Sequence, residues 1–323
     1  MHYRYFKAVA SCALAIAFAS ATTVINAAQW TSFPIGKIGQ KYAFALDRLP
    51  DGRFVLGNEG SLYVQNTWGT AAKTQISSNG TAFDPSFVAV RNATSGLVGG
   101  GGYSAPRGLY EFNPSATGTP LSSTSLVSST LQNFCAVYWK HPSSGREGWL
   151  IGGTNGVDSK HNLTFVSADG AKVGAVTGVI STYSAGVCTD ASGNVYAARS
   201  EYFTDDEADS EKVLKFTASQ IDTAVAAVIS GTPAPVDRAN ASVVHQFAGA
   251  SSIAVDSIGR LWAGNYSGYL QVYDPVSDST RDVMPDHAPI AGAVGPAAYQ
   301  VQVFNHAGVE YVGFLANSYS PGT

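Results

Sequence analysis

The chain has 323 residues, of which 13% are charged and 11% aromatic, and it carries 34 glycines and a formal net charge of −4. This composition excludes a disordered chain and is not typical of a helical bundle. The acidic balance also excludes a nucleic-acid-binding protein, because phosphates require clustered Lys and Arg. What remains is a turn-rich all-β protein with enough length for a substantial core.

The N-terminus has the layout of a secretory signal peptide. Arg4 and Lys7 precede an apolar run from Ala8 to Ala19, and small residues follow at 26–28. A run of about 12 apolar residues is short for a membrane anchor, so export with cleavage is the better interpretation. We therefore assign residues 1–28 to a signal peptide and 29–323 to one periplasmic or secreted domain, with no membrane insertion after signal removal.

One sequence unit recurs along the mature chain. It consists of an apolar strand, a polar turn with Gly, a second apolar strand that ends in small residues, and a third strand, as in SSIAVDSIGRLWAGNYSGYLQVYDP at 251–275. The six turn glycines are Gly52, Gly96, Gly145, Gly193, Gly259 and Gly308. Four of their five intervals match the length of a four-stranded propeller blade. The sequence therefore predicts a six-bladed, all-β propeller, with a two-sheet sandwich as the alternative.

The one long interval contains a predicted helical insertion in SQIDTAVAAVIS. Ser219 and Asp222 have capping-box spacing, and Gly231 and Pro233 end the segment. Four apolar residues share one helical face: Ile221, Val225, Val228 and Ile229. The last unit ends soon after its second strand, so we expect the N-terminal segment near Trp30 to Ile35 to complete the last blade.

The units IAVDSIGRLWAG and VCTDASGNVYAA resemble the repeats of NHL, SMP-30/gluconolactonase and streptogramin-lyase type propellers, in which an Asp-x-x-Gly turn joins the two inner strands. The resemblance spans the repeats from about residue 42 onward. It implies that Asp47, Asp190 and Asp256 are the repeated Asp, with Arg91 and Asn305 in comparable places. Such Asp residues cap turns by accepting hydrogen bonds from nearby backbone N–H groups, which is a structural role.

The same resemblance implies metal-dependent hydrolysis in the lactonase branch and a catalytic His in the lyase branch. Glu59-Gly60 is followed here by Ser61 rather than by the Pro of the lactonase motif. No His stands in a recognisable version of the lyase motif. The chain also lacks a local zinc motif, a G-x-S-x-G elbow and a P-loop.

The loops that follow the second strands share a face at the mouth of the predicted channel, where propeller ligands usually bind. Second strands tend to end in a small residue followed by Asn, with Arg in the blade that carries the insertion. The predicted mouth residues are Asn58, Glu59, Tyr103, Arg107, Asn155, Arg199, Tyr202, Asn265, Tyr266, Asn317 and Tyr319. Their polar and aromatic groups suit a polar small molecule, a glycan or a protein. The alternative is that Asn and Gly stand here because they tolerate left-handed turns.

The acidic loop FTDDEADSEK has two interpretations. Asp205, Glu207, Asp209 and Glu211 alternate like the early ligands of a calcium loop. However, Ser210 stands where that loop needs Gly, and no bidentate Glu follows, so a solvated surface loop is the alternative. No cofactor is expected to be required.

The two mature cysteines, Cys135 and Cys188, lie in predicted first strands of successive units. An oxidising compartment permits a disulfide between them, and two buried thiols are the alternative.

The sequence supports three functional hypotheses. The first is a noncatalytic, exported propeller that binds a polar ligand or a protein partner at the channel mouth. The second is a metal-dependent hydrolase, a lactonase or a lyase that uses the same mouth. The third is a structural subunit of a surface assembly, in which the Ser/Thr-rich run SATGTPLSSTSLVSST forms a flat outer strand.

Overall fold

In a computed structural model the predicted short strands form, and within each sheet every strand pairs antiparallel with the next along the chain. The described residues lie within the unit Ile35–Thr323 and are 45–58, 61–68, 72–78, 85–100, 108–116, 133–154, 161–180, 184–199, 212–247, 250–265, 270–283 and 297–317. Within these ranges the strands form six sheets, each with its strands in chain order.

Five sheets have three or four strands, and we call them blades 1 to 5. Blade 1 contains β1 (Ala45–Arg48), β2 (Phe54–Asn58), β3 (Ser61–Gln65) and β4 (Lys73–Ser78). Blade 2 contains β5 (Pro85–Asn92), β6 (Ser95–Gly100) and β7 (Gly108–Phe112). Blade 3 contains β8 (Asn133–Lys140), β9 (Glu147–Thr154), β10 (His161–Ser167) and β11 (Val173–Ala175).

Blade 4 contains β12 (Ser184–Thr189), β13 (Val195–Arg199), β14 (Lys212–Phe216) and β15 (Ser242–Gln246). Blade 5 contains β16 (Ala250–Val255), β17 (Leu261–Asn265), β18 (Leu270–Asp274) and β19 (Ser279–Asp282). The sixth sheet has only two strands, β20 (Ala297–His306) and β21 (Val309–Asn317), and we call it the terminal hairpin.

The prediction of six blades is therefore wrong in its count, because the described residues form five blades and a hairpin. The physical reason is that the last repeat supplies only its first two strands before residue 317. The segment expected to complete it, Trp30 to Ile35, lies outside the described residues.

The sheets are arranged radially, as the repeat predicts, and not as two facing layers. The first strands of successive sheets, β1, β5, β8, β12, β16 and β20, lie next to one another in turn, and β20 lies against β1. Val88, Ala136, Val187, Ala254 and Val301 are on these strands, so their predicted innermost position is confirmed. The sandwich alternative does not account for this ring.

The core consists of six apolar clusters, one between each pair of neighbouring sheets. Alternation along β8 shows the principle: Cys135, Val137 and Trp139 pack toward blade 4, while Ala136 and Tyr138 pack toward blade 2. The sixth cluster joins the ends of the described chain, because Phe304 of the terminal hairpin packs on the β1 and β2 side chains of blade 1. Each sheet therefore contributes side chains to two clusters.

The predicted helix is present as α1, Ala218–Ser230, but its capping box differs from the prediction. Thr217 is the N-cap and bonds reciprocally with Gln220, because the helix begins two residues earlier than the Ser219 prediction requires. Gly231 ends the helix in the left-handed conformation, as predicted. Ile229, predicted on the buried face, is exposed.

The insertion that contains α1 also covers the outer edge of blade 3. Val236 donates its N–H to the carbonyl oxygen of Val176 at 2.9 Å, and its own carbonyl accepts from Gly178 at 2.8 Å. An uncovered strand edge can pair with other chains, so this cover protects blade 3. No helix among the described residues has the length and apolar character that a membrane span needs.

Five of the six turn glycines have the positive φ that their turns require, and Gly96 is the exception. Blade 2 turns at Ala93-Thr94, so Gly96 lies inside β6, where the Phe112 ring fills the space a Cβ would need. Its prediction as a turn residue is wrong, because glycine spacing alone does not show how long each turn is.

Replacement of Trp262 tests the packing between blade 5 and the terminal hairpin. Trp262 is 7% exposed, and its indole N–H donates to Asp256 Oδ2 at 3.0 Å. We expect Trp262→Ala to lower the free energy of unfolding by ~3–5 kcal/mol in urea titrations. Val276→Ala is the control, since Val276 is 90% exposed and should change stability by less than about 0.5 kcal/mol. Equal stability of the two variants would contradict the packing described.

Candidate functional site

The predicted mouth lies at the face where the second strands end, which we call the loop face. Four predicted residues are the last residues of second strands: Asn58 of β2, Arg199 of β13, Asn265 of β17 and Asn317 of β21. The structure therefore places them at equivalent ends of radially arranged sheets. The other predicted mouth residues lie outside the described residues: Glu59, Tyr103, Arg107, Asn155, Tyr202, Tyr266 and Tyr319.

The opposite face, where first strands turn into second strands, is the hairpin face. Its six turns are short and span 49–53, 93–94, 141–146, 190–194, 256–260 and 307–308. The connections from second to third strands on the loop face include two that are longer than any of these turns, at 101–107 and 200–211. Because loops that exceed the length of a tight turn commonly carry function, the difference favours the loop face as a working surface.

Two hairpin-face turns show the structural role predicted for the repeated Asp. Asp256 Oδ1 accepts from the N–H groups of Ile258 and Arg260 at 3.2 and 2.8 Å, and its Oδ2 accepts from the Trp262 indole. Asp190 makes the matching bonds in blade 4, with the N–H groups two and four residues on and with a phenol six residues on. These carboxylates are fully used in holding their turns.

Asp47 does not have this role, so its assignment to the repeated Asp is wrong. In blade 1 the turn begins at Leu49, whose N–H donates to the Arg53 carbonyl and whose carbonyl accepts from the Gly52 N–H. Asp190 and Asp256 make the same pair of backbone bonds at the start of their own turns. Asp47 stands two residues earlier, inside β1. The offset arises because the Asp-to-Gly distance is five residues here and three in the other two repeats.

Charged groups at the hairpin face between blades 2 and 3 are bound to one another. The Arg91 guanidinium donates to the Tyr138 hydroxyl at 3.0 Å and to Glu147, and the Lys140 ammonium lies 3.4 Å from Glu147. The Tyr138 hydroxyl and the Arg91 guanidinium hold the pKa of Glu147 below its usual value. Burial and Glu147 raise the pKa of Tyr138 to about 12. The cluster stabilises the junction between blades 2 and 3.

A second polar cluster attaches α1 to blade 3. Arg146 donates to both carboxylate oxygens of Asp222, at 2.8 and 2.5 Å, and the Ser144 hydroxyl donates to the same group at 2.6 Å. Burial raises the pKa of Asp222, but these bonds outweigh it and hold that pKa below the ordinary range. His141 Nδ1 accepts from the Ser144 N–H at 3.0 Å. The Ser144 hydroxyl therefore donates to Asp222 and not to His141, so the three residues do not form a catalytic triad.

His161 is the most deeply buried of the described histidines. It begins β10 and is 1% exposed, and burial lowers the pKa of its imidazole to about 4. Its side chain is therefore neutral over the physiological range. His245 is stacked on Tyr273 at 3.9 Å between blades 4 and 5, so the described histidines do not converge on one site.

An aromatic cluster that no sequence pattern predicts closes the ring at the hairpin face. Trp68, from the β3–β4 connection, stacks on His306 with 4.4 Å between ring centroids, and Phe54 meets Phe304 edge to face at 5.4 Å. Arg48 lies over the Phe304 ring at 4.7 Å. These residues are at opposite ends of the described chain, so local patterns could not have linked them.

Cys135 and Cys188 are buried thiols that form no disulfide with each other. They pack on different sides of blade 4, since Cys135 lies in the cluster between blades 3 and 4 and Cys188 in the cluster between blades 4 and 5. Burial raises the pKa of the Cys188 thiol, which keeps it protonated and unreactive. The structure therefore agrees with the alternative prediction of two buried thiols.

Radial sheets built from one repeated unit define a β-propeller. The structure is similar to a propeller in the crystal structure of a nidogen/laminin complex, with a TM-score of 0.53 and 12% identity over 75% of this chain and 79% of that chain. It is also similar to the Dos1 propeller, with a TM-score of 0.50 and 9% identity over 88% of this chain and 68% of that chain. At these identities the likeness shows the fold alone.

A third similar structure is YCF48 bound to D1 peptide, with a TM-score of 0.45 and 11% identity over 74% of this chain and 67% of that one. No protein-family model matches the sequence, and no curated protein matches it either. The resemblance of the repeats to the NHL and SMP-30 type stays a prediction.

Metal removal tests the cofactor expectation. The described residues contain no group of three or more His, Cys, Asp or Glu side chains that could hold a metal, and the acidic loop with Asp205, Glu207, Asp209 and Glu211 lies outside them. We expect EDTA to leave the melting temperature within about a degree, because loss of a structural metal removes folding free energy directly.

The control for this measurement is the double variant Asp205→Asn, Asp209→Asn, which should melt like the parent with and without EDTA. A large drop with EDTA that calcium reverses, and that the double variant lacks, would contradict the expectation and assign calcium to the acidic loop.

Proposed function

We propose that the protein is an exported, noncatalytic β-propeller that binds a polar ligand or a protein partner at its loop face. The observation that carries the proposal is the placement of Asn58, Arg199, Asn265 and Asn317 at the same end of four second strands. Amide and guanidinium groups at equivalent ends of a radial fold point to one shared mouth. The N-terminal signal layout supports export.

The polar groups of the hairpin face support the choice of the loop face, because they are already bound to other groups of the protein. Asp190 and Asp256 accept bonds within their own turns, and the Arg91–Glu147 and Arg146–Asp222 pairs join neighbouring elements. Side chains held in this way stabilise the scaffold and have little bonding capacity left for a ligand. A rigid hairpin face therefore suits a scaffold that presents variable loops on its other side.

The ligand chemistry follows from the predicted mouth residues. Amides and an Arg offer directional donors and acceptors, and Tyr103, Tyr202, Tyr266 and Tyr319 add aromatic surfaces with a polar tip. This combination suits hydroxyl-rich ligands such as glycans, and also the backbone of a peptide segment. The NHL-type repeat remains part of the proposal, supported by the matching Asp190 and Asp256 turns.

Two double variants in the same blade test the proposal. Asn265→Ala, Tyr266→Ala changes the loop face of blade 5, and Ile258→Ala, Val276→Ala changes exposed residues at the hairpin-face turns of the same blade. The parent is screened on an array of neutral and acidic oligosaccharides and on a displayed peptide library. We expect the loop-face variant to weaken binding of the best hit at least ~10-fold, since it removes polar contacts worth more than about 1.4 kcal/mol.

The hairpin-face variant should bind like the parent, and both should keep the parent melting temperature. If the loop-face variant binds normally, or if only the hairpin-face variant loses binding, the loop face is not the working surface. If the loop-face variant unfolds, Asn265 and Tyr266 are turn scaffolding.

A further inference from the structure

Asp47 is a carboxylate at a position where the other blades with a comparable turn have an apolar core residue. It stands two residues before its turn begins at Leu49, and the matching residues are Trp139, Cys188 and Ala254. All three are buried and pack toward the next blade or the terminal hairpin. A charge at such a position costs free energy unless it has a specific use.

The Asp47 carboxylate joins the first strands of blades 1 and 2. Its Oδ2 accepts from the Val90 N–H of β5 at 2.6 Å, and its Oδ1 accepts from the N–H of Arg48 at 2.7 Å. The surrounding side chains are those of the apolar cluster between the two blades, including Val55, Leu62 and Val88. The Asp47 carboxylate is therefore held by two backbone N–H donors in a junction that is otherwise apolar.

Arg48 reaches in the opposite direction, because consecutive residues of a strand face opposite sides of the sheet. Its guanidinium donates to the carbonyl oxygen of Asn305 and lies over the Phe304 ring, both in the terminal hairpin. Gln302 adds a bond from its amide to the carbonyl oxygen of Leu46 at 3.3 Å. The adjacent residues Asp47 and Arg48 thus tie blade 1 to both of its neighbours.

No charged group from the packed elements pairs with Asp47. On the first turn, Arg53 pairs with Asp51, and on β5, Arg91 pairs with Glu147. On the other side of blade 1, His306 stacks on Trp68. Among the described residues, the attraction of the neighbouring Arg48 is the one ionic contribution to the Asp47 carboxylate.

We propose that Asp47 and Arg48 form a latch at the hairpin face, and that the charge on Asp47 sets how tightly the junction between blades 1 and 2 closes. With Asp47 protonated, the junction buries a neutral group and stays closed. With Asp47 ionised, the partly buried charge favours openings that admit more water, so the junction loosens.

The pH range follows from burial. Burial raises the pKa of Asp47 from its ordinary value near 4 to about 6, although the Val90 and Arg48 N–H groups and the Arg48 charge oppose that rise. A carboxyl with a raised pKa in the folded state favours folding below its ordinary pKa, and that advantage is lost as the pH rises through about 6. The latch is therefore tighter in acid and looser near neutrality.

Hydrogen exchange at pH about 5 and about 7.5 tests the latch directly, with rates corrected for intrinsic chemistry. We expect the protection of the β5 segment 85–92 to fall about 10-fold on going to the higher pH, because the interval includes about one pH unit below the pKa of about 6. Segment 250–255 of β16, at the junction of blades 4 and 5, is the internal control and should not change. Unchanged protection of 85–92 would overturn the proposal.

Two variants separate the charge from the hydrogen bond. Asp47→Asn keeps an acceptor for Val90 and should abolish the pH dependence while protection stays high. Asp47→Leu restores the apolar pattern of the other blades and should also lose the pH dependence, but with a less protected Val90 amide. Asp51→Asn, at an exposed carboxylate, should behave like the parent.

Melting temperatures give a second readout on the same variants. The difference between Asp47→Asn and the parent should be near zero in acid, should grow as the pH rises from about 4 to about 6, and should stay constant above that pH. If the two proteins show parallel melting curves across this range, Asp47 does not titrate there and the proposal fails.

Discussion

The fold depends on one constraint: every sheet is packed on both of its sides. Because the sheets are radial, alternate residues of each strand serve two different apolar clusters, as Trp139 and Tyr138 do on opposite sides of blade 3. The inner strands of such a sheet therefore have no solvent-facing side, whereas the outer strands β15 and β19 are largely exposed. The ring must also close, since an open ring would expose one side of its first sheet and one side of its last. Here the terminal hairpin closes the ring, because its Phe304 packs on Phe54 and Leu56 of blade 1.

This constraint divides the polar chemistry between the two faces. At the hairpin face, polar groups are used to fix turns and junctions, as in the Asp256 turn and the Arg146–Asp222 pair. The loop face receives the longer connections and the amide-terminated second strands. Asp47 departs from the division, because it carries a charge into a cluster between blades. That departure is why it is the group through which pH can act on the ring.

The repeat period was sufficient to predict radial sheets, the order of the strands and the helical insertion, because each repeat is one supersecondary unit with its own turn. It could not show that the last repeat forms two strands, since a hairpin and the first half of a blade have the same sequence pattern. Glycine spacing misassigned Gly96 and Asp47, because it does not report turn length. Asn58, Arg199, Asn265 and Asn317 are the last residues of second strands, and their place at a ligand-binding mouth stays a prediction. The Trp68–His306 stack had no local signal, because it joins the two ends of the described chain.

Closure of the ring through the terminal hairpin is the central claim, and a double-mutant cycle between Phe54 and Phe304 tests it most directly. The two rings meet edge to face at 5.4 Å across the seam. Phe54→Leu, Phe304→Leu and the double variant are compared by urea unfolding. The structure predicts a coupling free energy of ~0.5–1.5 kcal/mol, the usual range for such an aromatic pair. Additive effects, with coupling below about 0.3 kcal/mol, would contradict a ring closed at this seam.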